Sequence, residues 1–174
     1  MAELFAGPVA VQYGQDYLAL EGGFDGAMEA CFAGQSNGLC GARNPALLFL
    51  VTGLHTGVVG LGIHLFAADP GLDESWEEIV ELSCRVPRGE ITLMEWAADR
   101  GTGMAVPAGA YRVRYQARAM QAASELDTLE GDTPIDTYRL DLWPAPPSPD
   151  CIMKQSSAVA ASWHGWAQRL GPGR

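Results

Sequence analysis

The side chains best suited to proton, metal or nucleophile chemistry are three histidines, His55, His64 and His164, and four cysteines, Cys31, Cys40, Cys84 and Cys151. The histidines form no H-x-H or H-E-x-x-H pair, so no local metal site is written. His64 shares one side of its segment with Gly60 and Gly62, where a carboxylate from elsewhere could meet it; the default expectation is a hydrogen-bonded structural histidine. The cysteines are 9, 44 and 67 residues apart, with no C-x-x-C, which rules out a zinc ribbon or a thioredoxin-type centre. No basic residue precedes Arg43, so nothing nearby would lower the thiol pKa of Cys31 or Cys40. Cys84 lies on the apolar register of a strand pattern and reads as a buried thiol. No G-x-S-x-G elbow is present, and the glycines from Gly57 to Gly62 lack the Gly-Lys-Ser/Thr of a phosphate loop. The expectation is a protein without catalytic residues, metal or cofactor.

Charge says more. Of 174 residues, 21 are acidic and 11 basic, a formal net charge of −10. That balance argues against nucleic acid and against an anionic membrane as partners, since both need a basic face. The acids are bunched without basic residues between them: Glu3 to Glu29, Asp69 to Glu81, and Glu125 to Asp136. Besides keeping the protein soluble, such bunches suit docking to a basic protein partner. The expected binding residues are Glu74, Glu77, Glu78, Asp127, Glu130, Asp132 and Asp136, with Trp76 or Trp143 as central anchor, because interface energy concentrates in such aromatics. The partner class is a nuclease or toxin, and the role that of an inhibitor or immunity protein. The competing expectation is a small-ligand or carbohydrate-binding protein using Trp143, Trp163 and Trp166 as stacking surfaces. Trp163-His164-Gly165-Trp166 also reads as the dock of a terminal helix.

These residues need a frame, and the pattern is one of strands. Asn44 to Ala68 carries no charge and is long enough to span a bilayer. Glycines and histidines interrupt it, however, and Val59, Leu61, Ile63 and Leu65 alternate with Gly60, Gly62 and His64, the period of a strand. It reads as a buried β-hairpin turning at Leu54-His55-Thr56-Gly57. One or two short strands are expected between Phe5 and Leu20, broken at Gly14-Gln15-Asp16, then others at Val80–Val86, Ile91–Met94, Tyr111–Arg118 and Tyr138–Leu142. In the Tyr111–Arg118 strand Arg112, Arg114 and Arg118 share one face, expected to be solvated. Residues 21–43 read as a Gly-rich loop region with a short helix near Asp25 to Phe32. Prolines at 144, 146, 147 and 149 break regular structure, and Ser156 or Ser157 caps a C-terminal helix reaching Arg169. The whole is read as an all-β fold, an antiparallel β-sandwich with a short C-terminal helix, in a single domain over 1–174 with 143–174 as Pro-rich segment and helical tail. The N-terminus, MAELFAGPVA, lacks the basic and long apolar stretches of a signal peptide, so a cytoplasmic location with reduced thiols is expected.

From Leu47 to Leu142 the order of motifs resembles the competence protein J family. An apolar strand is followed by a Glu-rich lead into Val80-Glu81-Leu82-Ser83-Cys84-Arg85-Val86. Then come Gly89-Glu90-Ile91-Thr92-Leu93, Val106-Pro107-Ala108-Gly109-Ala110-Tyr111-Arg112 and Thr137-Tyr138-Arg139-Leu140-Asp141. The resemblance implies an inhibitor of a DNA-entry nuclease. It transfers no binding residue, since the matched positions are strand scaffold.

Overall fold

The computed structural model describes residues 1–21, 27–95 and 101–171. Its elements follow in chain order as β1 (Ala2–Gln12), β2 (Gln15–Ala19), α1 (Met28–Phe32), β3 (Cys40–Gly41), β4 (Leu47–Val51), β5 (Thr56–Leu65) and β6 (Glu78–Val86). After these come β7 (Glu90–Met94), β8 (Thr102–Ala105), β9 (Gly109–Arg118), α2 (Met120–Leu126), β10 (Thr137–Pro144), β11 (Cys151–Lys154) and α3 (Ala158–Arg169). The strands run side by side as β11-β6-β9-β10-β5-β1, and the path continues through β2 to β4 and β3, with β7 and β8 on the other side of β2. β1 meets β2 only at Gln12↔Gln15, so the sheet folds over at that corner into two layers. Tyr115 on β9 spans the layers, its hydroxyl donating to the Val51 carbonyl on β4 at 3.1 Å.

The core fills the space between. Leu18, Leu48 and Leu50 from one layer and Ile63, Leu82, Val113, Leu140 and Leu142 from the other are buried. β6 and β10 each alternate apolar and polar residues, so each offers one apolar face, and burying that face fixes their register. Trp163 and Trp166 on α3 meet edge to face at 5.5 Å, and Trp166 packs on Phe32 at 5.4 Å. Ser157 caps that helix, accepting from the Ala160 N–H at 3.1 Å.

The fold is predominantly β with a C-terminal helix, as the alternation implied, but the sheet is mixed. β5 and β10 lie parallel, with Tyr138 opposite Leu61 and Leu140 opposite Ile63. They are joined through four intervening strands, so no tight turn forces them antiparallel.

The expected hairpin over residues 46–67 does not form. β4 pairs with β2 and β3, whereas β5 pairs with β1 and β10. The segment between is pulled apart by other partners: Tyr138 Oη accepts from the Gly53 N–H at 2.6 Å, and Asp136 accepts from the Leu54 N–H at 3.3 Å. The turn read at 54–57 is thus a crossing from one layer to the other.

At Arg112 and Arg114 the arginine face of β9 is not solvated either, while Arg118 is partly exposed. Arg112 and Arg114 are buried beneath residues 69–71 and the 148–151 segment. Of the helix expected from Asp25 to Phe32, residues 28–32 are helical and Asp25 lies outside the described residues. β11 follows the prolines, and the acidic stretch from Glu125 to Asp136 opens with the last residues of α2. The four cysteines are unpaired. Among the described residues no helix is long and apolar enough to cross a membrane.

Candidate protein-binding surface

The acidic residues singled out from the sequence divide into two groups. Glu78 and Asp136 are buried and internally engaged. The Glu78 carboxylate accepts from the Ser156 and Ser157 N–H groups at 3.0 and 2.7 Å, which anchors the start of α3 with a negative charge at its N-terminus. Asp136 accepts from the Tyr138 hydroxyl at 2.6 Å, and burial pushes its pKa upward. Trp76 is buried too, with the Arg118 guanidinium over its ring at 4.3 Å. Trp143 is covered by Arg114 at 5.0 Å. The three tryptophans proposed for ligand stacking are therefore not gathered, because Trp163 and Trp166 serve the α3 dock.

Glu74, Glu77, Asp127, Glu130 and Asp132 are exposed. Helix α2 links their two stretches of chain. At its head the Glu77 carboxylate accepts from the Ala119 N–H at 2.8 Å, and at its foot Asp127 is the C-cap residue. Seven residues of helix rise about 10 Å, so the two acidic stretches flank one short helix with Glu125 on its exposed side. The Asp127 carbonyl accepts from the His55 and Thr56 N–H groups at 2.9 and 3.1 Å, stitching this end to the 52–56 crossing. Residues 73–77, at the other side of α2, are held by the single lysine: Lys154 Nζ donates to the Glu74 and Trp76 carbonyls at 2.7 and 2.8 Å.

This end of the sandwich also holds what the sequence did not reveal. Tyr13, Ala119 and Asp127 have positive φ (59°, 58° and 65°), the left-handed region that side chains with a Cβ adopt at a cost. Tyr13 is 58% exposed, its ring edge-on to His55 at 5.5 Å. Leu126 and Ile135 are 46% and 41% exposed. Strained backbone kept in place by surrounding hydrogen bonds is a feature that clusters at functional sites. The one available signal was Tyr13-Gly14, an aromatic residue just before the predicted break at Gly14-Gln15-Asp16.

The other polar cluster is structural in form. Glu81 receives Arg112 Nε at 3.2 Å and Arg114 NH2 at 2.6 Å, while Arg114 also reaches Asp69 at 3.1 Å and the Gly71 carbonyl. Beside it Asp141 accepts from Gln116 at 3.0 Å and Arg139 at 2.8 Å, with His64 Nδ1 at 3.4 Å. Desolvation and the Arg139 charge lower the His64 pKa against the pull of Asp141. His164 is buried, its Nδ1 accepting from the Gly38 N–H at 3.0 Å, and desolvation takes its pKa down to about 4. It is thus a neutral structural group near pH 7. Among the described residues no cluster of three metal-ligating side chains is found.

This architecture has solved counterparts. The fold resembles that of ComJ. The crystal structure of ComJ, inhibitor of the DNA degrading activity of NucA from Bacillus subtilis, superposes with a TM-score of 0.56 at 15% identity, covering 83% of this chain and 98% of that one. A second structure, the product of crocagin biosynthetic gene J, gives a TM-score of 0.54 at 15% identity over 84% of this chain and 100% of that one. At these identities the likeness is one of fold. No family model and no curated protein sequence matches the chain.

Proposed function

We propose that this chain is a non-catalytic inhibitor of the immunity type, which binds a basic protein with nuclease activity through the acidic end built around α2. The single observation that carries this is the convergence on α2 of two acidic stretches distant in sequence, beside the exposed Tyr13 and the partly exposed Leu126 and Ile135. The fold likeness to ComJ, itself an inhibitor of a DNA-degrading protein, supports the same direction. Glu74, Glu77, Asp127, Glu130 and Asp132 supply charge for the partner's Arg and Lys, and Tyr13 takes the place of the buried Trp76 as aromatic anchor. Glu78 and Asp136 act from inside, by holding α3 and the 52–56 crossing. The protein works in a reducing cytoplasm, where its four thiols stay unpaired.

The test is affinity capture from the native host at low salt with elution by a salt gradient, followed by a DNA-degradation assay on the eluted protein. A basic nuclease released by salt and silenced by adding the chain back is the expected result. An eluted partner without nuclease activity, or one that the chain does not silence, overturns the proposal.

A further inference from the structure

Beside the 148–151 segment that covers Arg112, two adjoining hollows of about 230 and 310 Å³ share Ala42 and Ser83. They lie between the loop leading into β4 on one side and β6 with the Pro-rich segment on the other. Together they approach the size range of small-molecule sites. The walls are tied together beforehand: the Asp150 carboxylate accepts from the Ser36 N–H and hydroxyl and from the Asn37 N–H at 2.8 Å each. Ser83 Oγ accepts from the Ser148 N–H at 3.0 Å. The groove is therefore rigid before anything enters it.

Two arginines line it, Arg85 in the smaller hollow and Arg43 in the larger. Both are exposed, and neither guanidinium has a hydrogen-bond or ion-pair partner among the described residues. Four of the eight arginines among the described residues, Arg88, Arg112, Arg114 and Arg139, meet a carboxylate, in a chain where acids outnumber bases 21 to 11. Of the other ionisable groups facing the groove, Asp150 is an anion whose oxygen is turned to Ser36 and Asn37, which leaves the two arginines an excess of one positive charge. Burial takes the Cys84 thiol up to about 12, which keeps it neutral. Guanidinium forks bind carboxylate and phosphate oxygens through paired hydrogen bonds.

We infer that this groove is a binding site for a small polyanion carrying two or more carboxylate or phosphate groups, held by Arg43 and Arg85. Leu20, Pro45 and Pro147 give the smaller hollow an apolar wall for the body of such a ligand. The site is separate from the acidic end and stands whether or not a nuclease is the partner.

Isothermal titration of the full chain with citrate and with pyrophosphate, in chloride buffer of matched ionic strength, tests it. Saturable binding of at least one anion is expected, weakened about tenfold or more by Arg43→Gln and by Arg85→Gln and lost in the double variant. Citrate alone assigns a polycarboxylate site and pyrophosphate alone a phosphoryl site. Both variants should melt with the wild type, because neither guanidinium is used internally. Absence of saturable binding by either anion at millimolar concentration overturns the inference, as does binding undiminished in the double variant.

Discussion

Two charged regions of this molecule use the same chemistry in opposite ways. Beneath residues 69–71, Arg112 and Arg114 are buried against Glu81, and every charge there has a partner a few ångströms away. Around α2, Glu74, Glu77, Asp127, Glu130 and Asp132 stand in solvent with no cation paired to them among the described residues. The buried set holds the chain together and can be removed only at the expense of the fold. Apart from the Glu77 bond to the Ala119 N–H, the exposed set has no part in holding the fold, which leaves it free for a partner. Their difference lies in what covers them, and the residue types alone do not disclose it.

The largest expected effect follows from the buried set. Arg114→Ala leaves Glu81 with Arg112 as its one cation and frees the 69–71 segment, so unfolding free energy should drop by about 3 kcal/mol, measured by urea denaturation. Removing Glu74, Asp127, Glu130 or Asp132 should change it by less than about 0.5 kcal/mol. A small loss at Arg114 would break the contrast between the regions.

A buried acid without a cation sharpens it. Asp16 is buried with Oδ1 unpartnered, and desolvation, reinforced by Glu95, takes its pKa up to about 8. Folded chains hold that proton when unfolded chains have released it. Stability from Asp16 is therefore full below pH 4 and declines toward pH 8, by up to about 1.4 kcal/mol per pH unit. His164 acts in reverse: its pKa of about 4 means that the unfolded chain charges first, so its contribution is lost as pH falls from 6.5 toward 4. The two slopes offset each other between pH 4 and 6.5 and leave a net decline from 6.5 to 8. Thermal melts should show Asp16→Asn removing that decline and His164→Asn, which keeps an acceptor for the Gly38 N–H, removing the loss on the acid side. A wild-type profile level from pH 6.5 to 8 would contradict the assignment for Asp16.

A smaller loss than at Arg114 concerns α3. Ser157→Ala deletes the cap and should lower stability by about 1 kcal/mol without disturbing the acidic end, as followed by chemical denaturation.

Where local chemistry decides, the sequence was sufficient. The alternation in Val80–Val86 was enough to place β6, and a serine before an apolar run was enough to place α3. Where distant residues decide, it was not. The fate of the β9 arginines depends on Gly71 and Glu81, some 30 to 45 positions away. The hairpin failed for the same reason, since Asp136 and Tyr138 claim the N–H groups of Gly53 and Leu54. Glu78 and Asp136 were chosen for charge, yet both are buried, Glu78 taken up by the Ser156 and Ser157 N–H groups and Asp136 by Tyr138 and the Leu54 N–H. Tyr13 went unnoticed because strain at one residue leaves no periodic trace.

The most direct test compares the salt-eluted nuclease in the presence of wild-type chain and of a variant carrying Glu74→Gln, Glu77→Gln, Asp127→Asn, Glu130→Gln and Asp132→Asn. DNA degradation should be suppressed by the wild type, with the variant about a hundredfold less potent while melting at the same temperature. Equal potency of the two would contradict the claim that the acidic end is the binding surface.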